Sequence, residues 1–474
     1  MQQDLETRFG SGTKVNRLED ETLLKGYGRY AGDYTPNDCG FLVFVRSTEP
    51  HAHIISIDTS AAEAMDGVRL VLTGAHLAER GVGPLAGPAN FTRPDGSPVA
   101  AADRHVLAQK KVHFVGEPVA LVVADTHELA IAASEAVFVE YEPLPHAITI
   151  DDALKPGAVA LADAADNIVA QTNYGDPDKA SEVFASAPHK VELTINNQRL
   201  NAFCLEPRTV LAYMNGERLE IRLSSQMPTG IRNAICGLLG LQTEQVRVLV
   251  GDVGGGFGMK TGPYPEDMAV AIAAHTLQTP VKWVSGRDEE FLATYHGRDI
   301  ETRAEMALDA EGHIQALRVH TRANVGACAT MSGVAIQVLI GPWVQTSVYN
   351  IPLIDFSYLA VATNTATTGP YRGAGRPEAI YIIERLMDEA ARVSGIDRIE
   401  LRRKNFISSS QMPYTNAMGQ TYDVGAFGAM MEQGLNLAQW DGFEAREKES
   451  RSHGLWRGLG IATFLEWTGG NALE

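Results

Sequence analysis

Two continuous apolar runs mark the first third of the chain: residues 41–45 read Phe-Leu-Val-Phe-Val and residues 119–123 read Val-Ala-Leu-Val-Val. Short apolar runs bounded by turn residues predict strands buried on both faces. Residues 127–136 place Leu129, Ala130, Ala133 and Ala136 at helical spacing, with Asp125 or Thr126 available as a cap, and residues 137–139 return to strand. The pattern predicts an α+β domain over residues 15–148. Residues 149–178 are rich in Ala, Asp, Gly and Pro without a strong period, and predict a connection to a second domain, 179–474. In that domain residues 246–250 predict a strand. Ala379, Ile380, Ile383, Leu386, Met387 and Ala390 predict one apolar face of a helix, with Pro377 at its first position and Gly395 as its stop.

The chemistry lies where these elements end. The strand at 246–250 runs into GDVGGGFGMKT, residues 251–261, in which five of eleven residues are glycine. Glycine lets successive N–H groups turn toward one centre and removes the Cβ atoms that would hold a ligand away. This loop therefore predicts a compact, oxygen-rich or anionic ligand. A second loop, GPYRGAGRPE at 369–378, sets two arginines in a glycine-rich turn at a helix N-terminus, and both features favour anions or oxo groups. The alternative is a nucleotide-binding loop, since GGGFGMKT at 254–261 differs from GxxxxGK[ST] at one position. Against it, Met259 stands where the backbone must bend over the phosphates, and Gly-Pro-Tyr-Pro at 262–265 prevents an immediate helix.

At 474 residues and 45% apolar content the chain is long enough for two or three domains with sizeable cores. A net charge of -18 disfavours nucleic acid or an anionic membrane surface as the main partner. No apolar run reaches the roughly 18 residues of a membrane span. The start MQQDLETRFG lacks the layout of a secretory signal, so the expected location is cytoplasmic. Cys39, Cys204, Cys236 and Cys328 are widely separated with no CxxC, which predicts neither a structural zinc site nor an iron–sulfur cluster. They are expected to be reduced thiols packed as small hydrophobes. Any redox electrons must leave to another chain.

GDVGGGFGMK followed by PYRGAGRPEA resembles the molybdenum-binding large subunit of the xanthine dehydrogenase and aldehyde oxidase family, the molybdenum hydroxylases. The likeness extends to RSTEPHAHIISID, VGEPVALVVAD and YEPLP, which are similar to the family's α/β hammerhead domain. It continues in LEPR at 205–208, VKWVSGRDEEF at 281–291 and ELRRKNF at 400–406. The resemblance implies a hammerhead domain followed by the first part of a molybdopterin-binding domain. It implies that Gly255, Gly256, Phe257 and Gly258 present backbone amides to the metal's oxo group and the pterin. By the same likeness Gln226 hydrogen-bonds the apical oxo ligand, Arg372 stands beside the metal, and Thr261 and Ala374 fall in the substrate pocket.

The implied cofactor is molybdenum–molybdopterin, expected in its cytosine dinucleotide form, with the pterin's sulfurs rather than protein side chains holding the metal. The implied reaction is hydroxylation with water as the oxygen source, electrons passing to iron–sulfur and FAD partner subunits. Gly373 and Ala374 stand where CO-oxidising members carry a copper-bearing cysteine, and Thr261 stands where xanthine-oxidising members carry a substrate-binding glutamate. Aldehydes or aromatic N-heterocycles remain. In the family the general base is a glutamate in a GxGE-like motif far toward the C-terminus, and this sequence has none. The expectation is a separately encoded C-terminal half that supplies it, or else an inactive truncated product or a non-catalytic assembly subunit. GLGIATFLEWTGG at 458–470 predicts a strand entering that half. Glu466 within it is not expected to be the base. His51 and His53 are expected to be structural, Arg402, Arg403 and Lys404 to form a solvated face, and Glu206 and Arg208 to form a fold-organising polar pair.

Overall fold

The structure is a computed structural model that describes residues 15–466. The MQQDLETRFG start and the last residues of the GLGIATFLEWTGG stretch lie outside the described residues. The two apolar runs form neighbouring antiparallel strands, Gly40–Arg46 and Pro118–Ala124, in the register Phe41↔Ala124 to Val45↔Ala120. Every residue of Pro118–Ala124 is buried. Its alternation explains this: Leu121 and Val123 face one core, while Ala120 and Val122 face another. The helix His127–Glu135 covers the second face with Ala133. Thr126 is its cap, accepting the Leu129 N–H at 3.2 Å.

The other edge of Gly40–Arg46 pairs in parallel with Val281–Val284, which belongs to the second half of the chain. The sheet therefore crosses the expected domain boundary. It has seven strands, in the order Val246–Leu249, Arg218–Leu223, Thr209–Asn215, Val281–Val284, Gly40–Arg46, Pro118–Ala124, Val68–Thr73. The helix Pro265–Leu277 packs its buried run from Met268 to Ala274 into the same core. A separate sheet has five strands, Ile168–Gly175, Ile354–Val361, Ile314–Asn324, Ile300–Leu308 and His189–Asn197. The long helix Arg376–Ser394 lies on it through Ile382, Ile383, Leu386, Met387 and Ala390. Among the described residues no helix is long and apolar enough to cross a membrane. The four cysteines are buried and free.

Several expectations are corrected. The stretch 149–178 carries an edge strand, Ile168–Gly175, whose mixed polar sequence hid its pairing with Ile354–Val361. Arg402 is not on a solvated face: it is fully buried and paired with Glu384 at 2.8 Å and Asp388 at 3.0 Å, while Arg403 reaches Glu400 and Glu432 at the surface. Ile382 rather than Ile380 completes the helix face, and Arg376 precedes Pro377 as the first helical residue. Residues 458–466 form no strand; their backbone is irregular.

Where the two halves share the sheet, the carboxylate of Glu266 lies between Arg46 at 2.9 Å and Arg208 at 3.0 Å, with 1% of its side chain exposed. Burial alone would raise its pKa, but the two arginines hold it down, to about 2. A depressed folded pKa stabilises the protein above the unfolded value of 4.5, and the contribution is lost as pH falls toward 2. Neighbouring Asp267, pushed up to about 6 by burial despite Arg208, acts with the opposite sign between 3.8 and 6. We expect Glu266→Gln to lower stability at neutral pH by about 3–5 kcal/mol, the cost of unpairing buried arginines, and to flatten the acid limb below pH ~4. Denaturant midpoints measured across pH check this; a midpoint and acid limb like the wild type's would contradict it.

Candidate cofactor site

The strands Arg218–Leu223 and Val246–Leu249 are parallel neighbours in the register Leu219↔Val246. Their C-terminal ends therefore open on the same edge, where parallel strands commonly place ligands. The first strand leads to Ser224, Ser225 and Gln226, and the second leads to the glycine loop. The Gly258 N–H donates to Gln226 Oε1 at 2.9 Å. With its oxygen so occupied, the Gln226 side-chain NH2 is left to donate outward. A Cβ on Gly256 would lie 2.5 Å from Gln226 Oε1, and one on Gly258 would lie 2.6 Å from the Pro370 carbonyl oxygen. Gly258 requires glycine by its contact with backbone and by its φ of +91°, whereas a side chain on Gly256 would displace the Gln226 amide.

The two loops meet directly. The Arg372 N–H donates to the Phe257 carbonyl at 2.9 Å. Phe257 has φ +50° and is 46% exposed. In the arginine loop Gly373, Ala374 and Gly375 follow one another in the left-handed region at +91°, +46° and +87°. That unusual run is clamped by Arg298, whose guanidinium donates to the carbonyls of Tyr371 at 3.3 Å and Arg372 at 3.0 Å and to Glu378 Oε1 at 2.9 Å. Burial raises the pKa of Glu378 and Arg298 opposes the rise. The Arg372 side chain is exposed. Thr261 donates its N–H to Gly258 at 3.0 Å and Ala374 donates its own to Tyr371 at 2.7 Å, so both sit within the turns, half-buried.

Lys260 points the opposite way from a phosphate-binding lysine. Its side chain is fully buried, and Nζ donates to the Glu206 carbonyl and to Glu206 Oε2, both at 3.0 Å. The same Oε2 accepts from Gly254 N–H at 2.8 Å and from Ser224 Oγ at 2.6 Å. Met259 is buried with Ala202 and Cys204. The nucleotide-loop alternative fails on this geometry. The expected pairing of Glu206 with Arg208 is also corrected: Glu206 serves Lys260, whereas Arg208 pairs with Glu266 and stacks on Tyr264, 3.8 Å from the ring centroid. Glu466 lies 2.7 Å from Arg376, an ion pair that leaves it poorly placed as a base. His51 is buried, its Nδ1 bonded to the Pro145 carbonyl at 2.8 Å.

Among the described residues the amide N–H groups of Gly255, Gly256 and Phe257 bond to no protein acceptor. Free amides, the Gln226 NH2 and the Arg372 guanidinium are all donors, and the glycines leave space in front of them. This donor set fits an oxo-bearing, anionic cofactor and does not call for side-chain ligation of a metal. Residues 161–406, which include both loops and Gln226, match the model of the molybdopterin cofactor-binding domain. Residues 25–145 match that of the aldehyde oxidase and xanthine dehydrogenase a/b hammerhead domain. The chain belongs to the xanthine dehydrogenase and aldehyde oxidase family of molybdenum enzymes.

Within this family the chain is 34% identical, over 98% of its length, to the nicotine 6-hydroxylase large subunit of Paenarthrobacter nicotinovorans, and covers 56% of that protein. The crystal structure of quinoline 2-oxidoreductase from Pseudomonas putida 86 superposes with a TM-score of 0.86 at 31% identity, over 94% of this chain and 56% of the other. The chain thus spans about half the length of these relatives. The nicotinate dehydrogenase large molybdopterin subunit of Eubacterium barkeri differs in this respect: at 29% identity the match covers 89% of this chain and 94% of that protein.

The parts that sequence reasoning missed are the supports. Glu206, Ser224 and Lys260 hold the glycine loop, and Arg298 with Glu378 holds the arginine loop. Lys260 and Arg298 offered no periodic signal, because each acts across a long sequence separation. We expect Gly258→Ala to strain a left-handed residue, at about 1–2 kcal/mol, and to push the two loops apart. Molybdenum per chain, measured by mass spectrometry on protein with an unchanged circular dichroism spectrum, should fall several-fold; wild-type loading would contradict the assignment.

Proposed function

We propose that this chain forms the molybdenum-binding wall of a cytoplasmic hydroxylase that oxidises an aromatic N-heterocycle with water as the oxygen source. Its electrons pass to iron–sulfur and FAD partner subunits. The observation that carries this reading is the hydrogen bond from Arg372 N–H to Phe257 O, which joins the glycine and arginine loops into one surface bearing Gln226. A heterocycle is favoured over an aldehyde because nicotine, nicotinate and quinoline, the compounds in the relatives' names, all contain an aromatic nitrogen ring.

When bound, the molybdenum–pterin cofactor, read as the cytosine dinucleotide form, supplies a Lewis acid and a two-electron acceptor. The protein's own residues do the positioning. The Gln226 NH2 and the amides of residues 255–257 would hold the cofactor as donors, and Gln226 cannot rotate without giving up its bond to Gly258. The exposed ring of Phe257 offers a flat apolar contact to an aromatic substrate. The Arg372 guanidinium offers a positive charge beside it, Thr261 and Ala374 shape the pocket, and the fixed donors act where negative charge develops.

Proton removal needs a carboxylate, which polypeptide matching the rest of the longer relatives would supply. The Eubacterium barkeri subunit, covered over nearly its full length, supports such a division. The chain should be produced alone and together with a second-half polypeptide, then assayed by dye reduction with quinoline, nicotinate and benzaldehyde. We expect reduction only from the combined form and only with the heterocycles. Activity from the chain alone, or a preference for the aldehyde, would contradict the proposal.

A further inference from the structure

Away from the cofactor wall, a small, partly enclosed cavity lies between the hammerhead domain and the cofactor-binding domain. Arg104, His105, Glu117, Tyr295 and Cys328 line it, and its free volume of about 20 Å³ is room for a single water. Beside it, a His113 ring nitrogen, a Glu117 carboxylate oxygen and Cys328 Sγ all lie within 4.8 Å of one another. The side chains of His113 and Glu117 are 14% and 7% exposed, and Cys328 is 1% exposed. His113 and Glu117 flank the turn before the strand Pro118–Ala124, whereas Cys328 follows the strand Ile314–Asn324 on the other side of the junction.

We propose that His113, Glu117 and Cys328 bind a zinc ion that pins the hammerhead domain to the cofactor-binding domain. One imidazole, one carboxylate and one thiolate form the mixed N, O, S donor set that suits zinc over harder cations. Tetrahedral zinc with bonds of about 2.0–2.3 Å sets its ligand atoms roughly 3.3–3.8 Å apart, so the three must draw in by about 1 Å. Glu117 Oε2 is held by the His113 backbone N–H at 2.6 Å, which leaves Oε1 to turn to the metal; the other contacts are loose, with His113 Nδ1 3.3 and 3.4 Å from the two Glu117 oxygens and Cys328 Sγ 3.6 Å from the Asp103 carbonyl. The cavity supplies the place for a water as fourth ligand. His105 Nδ1, buried and without a partner, lies on the wall of that cavity and is available to hold the water.

Charge also balances. Binding releases the Cys328 thiol proton, and Zn²⁺ with one thiolate and one carboxylate is neutral, which lowers the cost of burial. Asp103 faces the cluster as a further negative charge, and Lys111 and Arg104 face it as positive ones. The Arg104 guanidinium is drawn aside to Tyr295 Oη at 2.6 Å and to the Pro263 carbonyl. A spacing search for CxxC could not find this set, because two of its ligands flank one turn of the hammerhead domain and the third comes from the other side of the junction. Neither the cofactor nor the substrate assignment enters into it.

The test uses the full chain with any partner subunits it requires, stripped with a chelator and divided into separate samples titrated with Zn²⁺ or with Co²⁺. We expect about one zinc per chain and, in the cobalt form, a near-ultraviolet thiolate-to-cobalt charge-transfer band. Cys328→Ser should abolish the band, and Glu117→Gln should weaken zinc binding at least about tenfold. Molybdenum counted in the same samples separates this site from the cofactor wall. A wild-type chain that shows no thiolate band with cobalt, or a band that survives in Cys328→Ser, would overturn the proposal. Should Cys328→Ser fail to fold, the wild-type cobalt spectrum decides by itself.

Discussion

The carboxylate of Glu206 sits behind the glycine loop, and one of its oxygens accepts from Gly254 N–H, Ser224 Oγ and Lys260 Nζ together. Because the group is buried, its charge is tolerable only while the lysine ammonium stays beside it; unpairing such a couple costs about 3–5 kcal/mol. Much of the loop's form follows from this. Gly254 must lack a side chain, since a Cβ there would stand 2.4 Å from the Glu206 Cβ. Lys260 is drawn inward and Met259 is buried with it. The intervening residues turn the other way, so that Gly258 N–H meets Gln226 and the Phe257 carbonyl meets Arg372. The open side of the loop is a consequence of how tightly its back is held.

The scaffold beneath this loop is shared between the two domains. Gly40–Arg46 bridges Pro118–Ala124 on one edge and Val281–Val284 on the other, so hammerhead and cofactor-binding segments form one sheet rather than two bodies in contact. Charge is buried at that seam, with Glu266 between Arg46 and Arg208. Such a seam favours one arrangement, since any slip leaves an arginine or a carboxylate unpaired in a dry place. The loops that carry the donors are thereby held on a rigid base, which is what an oriented oxo-bearing ligand requires.

Much of this was legible in the chain itself, and the misses have physical causes. Residues 119–123 announced a strand because both faces are buried; residues 41–45 announced one by the same apolar run, although only Leu42 and Phe44 are buried and Phe41, Val43 and Val45 are half-buried. Thr126 announced its helix by a local side-chain bond. The glycine loop was legible because glycine is demanded by contacts of 2.4 Å at Gly254 and 2.6 Å at Gly258, leaving a compositional trace. Ile168–Gly175 was not legible, because an edge strand needs no apolar alternation to pair. Arg402 read as one of a run of surface charges, yet its partners Glu384 and Asp388 lie on a different helix, so its burial is a tertiary fact. Glu206 and Arg208 stand two apart and invited pairing; the fold sends them to Lys260 and Glu266. The roles of Thr261 and Ala374 depend on what faces them across the pocket.

The central claim is that the glycine and arginine loops form one donor wall organised around Gln226. An experimental structure of the cofactor-loaded enzyme tests it most directly. The account predicts that Gln226 Oε1 remains on the Gly258 N–H while the side-chain NH2 donates, at about 3 Å, to an oxygen of the cofactor, with Arg372 N–H still on the Phe257 carbonyl. A cofactor seated away from residues 255–258, or a Gln226 turned out of its bond to Gly258, would contradict it.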